Sequence, residues 1–340
     1  MRDLRLLAKA HLHLHVDGAM RPDTLAELAA AAGVEAPMPQ GYGSFAAFTD
    51  TITAAARVLR TEAEVFRLLQ EVAADAAAAG AVWIEVSVWP GLFAGRLGAD
   101  GDALDVVLEA SAAAAGCGLG IGVIVAANRD RGPAEACDVA RLAASRAADG
   151  VVGLGLDGDE AAHPPALFRE AFRIAREAGL RAFPHAGELA GPQSIVDALD
   201  LLGGDRIMHG VRAVEDPDLV SRLAHERICL DVCPTSNVML SVVPALEQHP
   251  LPLLLTAGVR CTINADDPLL FATDLLQEYE RCRDVLQLTD EALAAVARTS
   301  LQASAAPAET VTAGLAAIET WLDDGAQPCT SSLSRHPRRC

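Results

Sequence analysis

The chain has 340 residues, 51% of them hydrophobic, with a mean hydropathy of +0.24, which supplies a sizeable core and excludes wholesale disorder. Its 46 Asp and Glu against 27 Lys and Arg give a formal net charge of −19, which opposes a nucleic-acid or anionic-membrane partner through phosphate repulsion.

Met1 to Ala10 carries charges and no apolar h-region, so no signal peptide is visible and the expected compartment is the cytoplasm. The first strand is expected over Ala10 to Val16. Thr61 to Ala79 reads as a helix, with a capping-box pattern at Thr61 and Glu64, an apolar face through Val65, Leu68, Leu69, Val72 and Ala76, and a stop at Gly80. A second strand follows over Ala81 to Val88. The longest uncharged stretch, Ala110 to Ala127, is broken by Gly116, Gly118, Gly120 and Gly122 into a helix end and a short strand over Ile121 to Ala126. That is short of the roughly 20 apolar residues a membrane span needs.

Val151 to Leu156 is the next strand, and its helix carries Leu167, Phe168, Ala171, Phe172 and Ala175 on one face before Gly179 ends it. Further strands are expected over Leu180 to His185, Arg206 to His209, Ile228 to Val232 and Val259 to Asn264. Eight short strands alternating with helices predict a closed (β/α)8 TIM barrel as a single domain over residues 1–325, with a frayed, disordered tail over 326–340. The eight cysteines are scattered without a CxxC pair and are expected to be reduced.

Catalytic groups of such barrels belong at the C-terminal ends of the strands. Here polar residues fall at those ends repeatedly: His13, His15 and Asp17; Asp157 to Glu160; His185 and Glu188; His209; and Asn264, Asp266 and Asp267. Taken singly, a histidine at a strand end is ordinarily a hydrogen-bonded structural residue. Five such places at successive ends argue for chemistry. Alternation predicts that His11, His13, His15 and Asp17 project to one face. Two imidazoles two residues apart, joined by a distant histidine and a carboxylate, make an N/O ligand set suited to zinc with a place left for water. His185 and Asp266 are the natural candidates for the distant pair.

His13-Leu-His15-Val-Asp17-Gly18-Ala19, Gly158-Asp159-Glu160, His185-Ala-Gly-Glu188, His209-Gly210, Cys233-Pro-Thr-Ser-Asn237 and Asp266-Asp267-Pro268 together resemble the adenosine deaminase family, over roughly residues 8 to 320. The resemblance implies one Zn2+ per chain on His13, His15, His185 and Asp266. It implies Glu188 as the acid that protonates purine N1, and His209 as the residue that orients and deprotonates the attacking water. Asp267 would face N7, the backbone of Gly158 would meet N3, and Asp17 would meet the ribose. The barrel would carry a helical lid segment after its first strand. Phe45, Phe48, Thr49 and Ile52 match that lid, although an ordinary amphipathic helix face reads the same way.

The implied function is hydrolytic deamination of a 6-aminopurine nucleoside, first adenosine or 2′-deoxyadenosine, with adenine or a modified adenine nucleoside as the alternative. Family members acting on free adenine carry Glu at position 17, so Asp17 favours a ribose, and its charge opposes a 5′-phosphate. The partner is then a small-molecule purine nucleoside. Four positions depart from the family pattern: Glu is usual at His11, Arg at Ser87, Gly at Met208, and Thr or Ser at Ala265. Inward-facing His11 and Ser87 would be compensating losses of one ion pair, and Met208 would narrow the pocket.

Two rival readings fail on the residues. Gly153-x-Gly155-x-x-Gly158 is a literal dinucleotide fingerprint, but Asp-Glu-Ala-Ala-His-Pro-Pro follows it and opens no helix for a pyrophosphate. A silent binding relative need not keep both Glu188 and His209. The lysine count sharpens the metal reading. Lys9 is the only lysine, so no carboxylated lysine can bridge a second metal.

Overall fold

Strands buried on both faces need near-continuous apolar runs, and eight such runs pair here in parallel and in chain order. They are β1 (Lys9–His15), β2 (Ala81–Val88), β3 (Gly120–Asn128), β4 (Val151–Asp157), β5 (Arg181–Ala186), β6 (Arg206–His209), β7 (Cys229–Val232) and β8 (Arg260–Ile263). The structure is a computed structural model describing residues 1–37, 42, 44–93, 95–116 and 118–324. The expected tail over 326–340 lies outside the described residues. Backbone bonds just beyond β8 close the ring: the His15 N–H donates to the Asp266 carbonyl at 3.0 Å, and the Asp266 N–H donates to the His13 carbonyl at 3.2 Å. This is the expected (β/α)8 barrel. Among the described residues no helix is long and apolar enough to cross a membrane.

The β1–β2 connection carries α1 (Pro22–Ala32), α2 (Phe45–Ala56) and α3 (Glu62–Ala78). α3 starts with the expected capping box: the Glu64 N–H donates to the Thr61 hydroxyl at 3.3 Å and the Thr61 N–H to the Glu64 carboxylate at 2.8 Å. These bonds satisfy donors that a helix start leaves free. α2 is pinned near the chain's other end. Phe48 stacks on Phe271 with ring centres 5.4 Å apart, and the Tyr42 hydroxyl donates to the Leu270 carbonyl at 2.8 Å.

Strict alternation along β1 does not hold. Its register with β2 slips between His11 and Leu14, so β1 carries one extra residue there. His13 and His15 converge with His185 inside the barrel, while His11 shares an outer groove with Leu14, Val72 and Leu269. The His11 Nε2 accepts the Ala265 N–H at 3.0 Å. Ser87 pairs with His15, and alternation with Glu85 turns it inward. His11 and Ser87 therefore stand on opposite faces of the sheet, which overturns the expected compensation between them. The bulge flips one histidine and leaves the other two in place.

Buried charge inside the barrel comes from other strands. Arg206 donates to Glu85 at 2.5 Å and to Asp231 at 2.7 Å, with its guanidinium 4.0 Å from the centre of the Phe183 ring. Nearby, Ile124, Phe183 and Met208 pack together. Met208 thus fills the barrel interior and is absent from the residues lining the cleft, contrary to the expected narrowing. β4 runs through Gly153 and Gly155, and Gly158 opens a turn. The next helical turn waits until Pro165–Phe168, so the dinucleotide reading fails on structure as well.

Candidate active site

Three strand ends, those of β1, β5 and β8, bring His13, His15, His185 and Asp266 together, with one ligand atom from each lying within 4.8 Å of the others. The His13 Nε2 stands 3.1 Å from the His185 Nε2 and 3.2 Å from Asp266 Oδ1, and the His15 Nε2 is 3.2 Å from the same oxygen. The other ring nitrogens fix the tautomers. His13 Nδ1–H donates to the Asp231 carbonyl at 3.0 Å, and His185 Nδ1–H donates to the Leu156 carbonyl at 3.1 Å. Both Nε2 atoms therefore present lone pairs to each other and to a carboxylate, an arrangement that only a cation relieves. Ligand atoms about 2.0–2.1 Å from a tetrahedral metal ion lie roughly 3.3 Å apart, so the spacing fits one ion.

Asp157, the last inward residue of β4, supports this cluster, a role the sequence did not assign to it. Its carboxylate lies 3.1 Å from His185 Nδ1 and 3.6 Å from His15 Nδ1. Burial opposes its ionisation, yet the imidazoles of His15 and His185 outweigh burial and hold its pKa below the usual carboxylate range. Asp266 behaves alike. Burial would raise it, but His13 and His15 hold it well below its ordinary value. Its backbone φ is 60°, and that of His209 is 63°. Left-handed backbone at two non-glycine residues is strain of the kind concentrated at functional sites.

The remaining expected residues surround this cluster. Asp17, Phe45, Phe48, Thr49, Gly158, Glu188, His209 and Asp267 all line one cleft, together with Ile52, Trp89, Asn128 and Asp130. Glu188 is buried, and burial followed by the charges of Asp266 and Glu160 pushes its pKa well above the usual carboxyl value. His209 places Nε2 3.4 Å from Glu188 Oε1 and 3.8 Å from Asp266 Oδ2. Burial also drives Asp267 well upward, with Asp266 adding to it, and Asp267 Oδ1 has no hydrogen-bond partner. Asp17 is raised to about 6 by burial, against the pull of His15.

Two glycines make room for this wall. A Cβ on Gly18 would overlap the Asp267 carboxylate, and Gly158 has φ 98° in a place where a Cβ would crowd Asn128 and Arg129. Glu160 is another residue whose role the sequence motif left unassigned. Its carboxylate accepts the backbone N–H groups of Gly187, Glu188, Leu189 and Ala190 at 2.6–3.0 Å.

Comparison with known proteins agrees with this geometry. The adenosine deaminase family model matches residues 8–321. A Streptomyces virginiae protein, provisionally named an adenosine/adenine deaminase, is 44% identical over 94% of this chain and 98% of its own. The solved adenine deaminase of Arthrobacter aurescens is 32% identical with a TM-score of 0.86, over 93% of this chain and 99% of its own. A solved Burkholderia ambifaria amidohydrolase with bound zinc is 26% identical with a TM-score of 0.82, over 94% and 93% of the two chains. The chain belongs to the adenosine deaminase family and is a hydrolytic deaminase acting on the C–N bond of a cyclic amidine.

Proposed function

We propose that the protein converts adenosine or 2′-deoxyadenosine and water into inosine or 2′-deoxyinosine and ammonia, with one zinc ion on His13, His15, His185 and Asp266. Zinc held there would lower the pKa of water towards about 7 and make hydroxide available at neutral pH. Glu188, kept protonated by its burial, gives its proton to purine N1 and makes C6 electrophilic. The raised Asp267 carboxyl keeps its own proton, and its unpartnered Oδ1 is free to meet N7. Gly158 turns its backbone towards N3, and His209 orients the attacking oxygen. Phe45, Phe48 and Thr49 on α2 cover the purine and exclude water.

The nucleoside reading is carried by Asp17, a half-buried carboxylate on the cleft wall that is short enough to leave space for a ribose and able to accept from its hydroxyls. Asp17, Asp130, Asp157 and Asp266 also place carboxylates on the cleft wall, which opposes a phosphorylated substrate. Free adenine is the second reading, favoured by the likeness to the Arthrobacter adenine deaminase. Its N9–H is a donor that Asp17 would accept equally well.

The test is a comparison of kcat/KM for adenosine, 2′-deoxyadenosine, adenine and AMP, followed by ammonia release, with zinc content measured on the same protein. The nucleosides are expected to lead. Faster turnover of adenine moves the assignment to the second reading. A metal-loaded protein that turns over no 6-aminopurine defeats both.

A further inference from the structure

His209 does not stand alone behind the cleft. Its Nδ1 lies 3.2 Å from the Asn237 side-chain amide, whose oxygen lies 3.2 Å from His249 Nε2. His249 Nδ1 in turn accepts the backbone N–H of Leu251 at 3.1 Å. All three side chains are buried, with exposures of 1%, 0% and 3% for His209, Asn237 and His249. Nothing in the family motif points to His249, which lies beyond β7, just before the helix Leu251–Thr256.

The direction of this chain of bonds is set at its far end. A backbone N–H can only donate, so His249 Nδ1 is an acceptor, and the one proton of the neutral ring sits on Nε2. That proton goes to the Asn237 oxygen. The Asn237 amide cannot be turned over, because its NH2 would then face a second N–H with no lone pair to accept it. The NH2 therefore faces His209 Nδ1, which must accept, and the His209 proton is left on Nε2, the atom facing Glu188 and Asp266. Burial keeps His249 in the neutral form this logic needs, with its pKa lowered to about 4.

We propose that His249 is a positioning residue that, through Asn237, holds His209 as the Nε2–H tautomer, so that His209 orients the attacking oxygen by donating a hydrogen bond. It rests on the deaminase reading of the cleft. It also changes one expectation of the family resemblance. With its acceptor nitrogen turned away from the cleft, His209 in its resting form has no lone pair with which to take a proton from water.

The test reads the tautomer directly. Long-range 15N–1H NMR of protein labelled with ring-15N histidine, without substrate, is expected to show His209 with its proton on Nε2, assigned by loss of those signals in His209→Asn. Asn237→Asp is nearly isosteric but offers only acceptors, so it is expected to reverse the His209 tautomer. It should lower kcat about 100-fold with KM changed less than about threefold, a larger loss than Asn237→Ala causes. His249→Leu is expected to leave His209 in mixed tautomers and to cost about 10- to 100-fold in kcat. His249→Gln, whose amide still donates to Asn237, should restore most of that loss. A wild-type His209 protonated on Nδ1 overturns the proposal, as does an Asn237→Asp enzyme as fast as wild type. The tautomer is read without turnover, so its outcome stands apart from any failure of the deaminase assay.

Discussion

The carboxylate of Glu160 accepts the backbone N–H of Glu188 at 3.0 Å, and that bond is one of four. Gly187, Leu189 and Ala190 donate to the same carboxylate at 2.6, 2.7 and 2.9 Å. One buried carboxylate thus organises the turn that carries Glu188, the proposed general acid, and its proximity also helps to keep the Glu188 proton in place. Glu160→Ala strands four N–H groups, each costing about 1–3 kcal/mol if left unsatisfied, less whatever entering water recovers. Urea denaturation is expected to show a loss of about 3 kcal/mol or more. Kinetics should show kcat down about 10- to 100-fold with metal content retained. A Glu160→Ala protein with wild-type kcat would mean that the turn holds its shape without this anchor.

Asp157 acts on the metal cluster from the side opposite the lone pairs. Its charge faces His15 and His185 across their Nδ1 atoms, which raises the basicity of both rings. Asp157→Asn keeps the volume and removes the charge. Metal affinity, measured by competition with a chelator, is expected to fall about 10- to 100-fold. Wild-type affinity in this variant would reduce Asp157 to a space-filling role.

The strand ends and their motif residues were legible because catalysis needs rare polar residues inside an apolar strand pattern, and Asp17, Phe45, Phe48, Thr49, Gly158, Glu188, His209 and Asp267 do line the cleft. The orientation of His11 was not, because one inserted residue in β1 reverses the alternation and leaves no mark on the pattern itself. Asp157 sat in plain view within Asp157-Gly158-Asp159-Glu160. Its parity with Gly153 and Gly155 on β4 was the available signal that it points inward. Met208 misled because adjacency to His209 in sequence means opposite or offset direction in space. His249 carried no signal at all, since its role depends on a backbone N–H two residues on and a side chain twelve residues back.

Gly18 is required by a neighbour distant in sequence. Asp267 lays its carboxylate over the Gly18 Cα, and the Leu269 N–H donates to the Gly18 carbonyl at 2.9 Å, so neither group can retreat cheaply. Gly18→Ala is expected to displace Asp267 and lower kcat/KM about 100-fold, as a misplacement near 1 Å does, with metal content retained. If Asp267 donates to N7, Asp267→Asn keeps a donor and should retain more activity than Asp267→Ala. Equal losses in the two variants would argue that its charge, and not a hydrogen bond, matters.

Lys9 provides a test of the fold that leaves the cleft untouched. It is fully buried at the start of β1, where Nζ donates to the Leu4 carbonyl at 2.9 Å and the Ala79 carbonyl at 2.5 Å. Burial lowers its pKa from 10.5 to about 7. Between those values the unfolded chain holds the Lys9 proton and the folded chain does not, so this residue makes stability rise with pH across that window. Lys9→Met does not titrate. The stability of wild type relative to Lys9→Met is therefore expected to increase from pH 7 upward, by at most about 1.4 kcal/mol per pH unit. Chemical denaturation of both proteins at several pH values from neutrality to about 10 measures that difference, and the titration of all other groups cancels in it. A gap that stays constant over this range would show that the Lys9 ammonium remains charged in the folded barrel, with its two carbonyl partners outweighing the cost of burial.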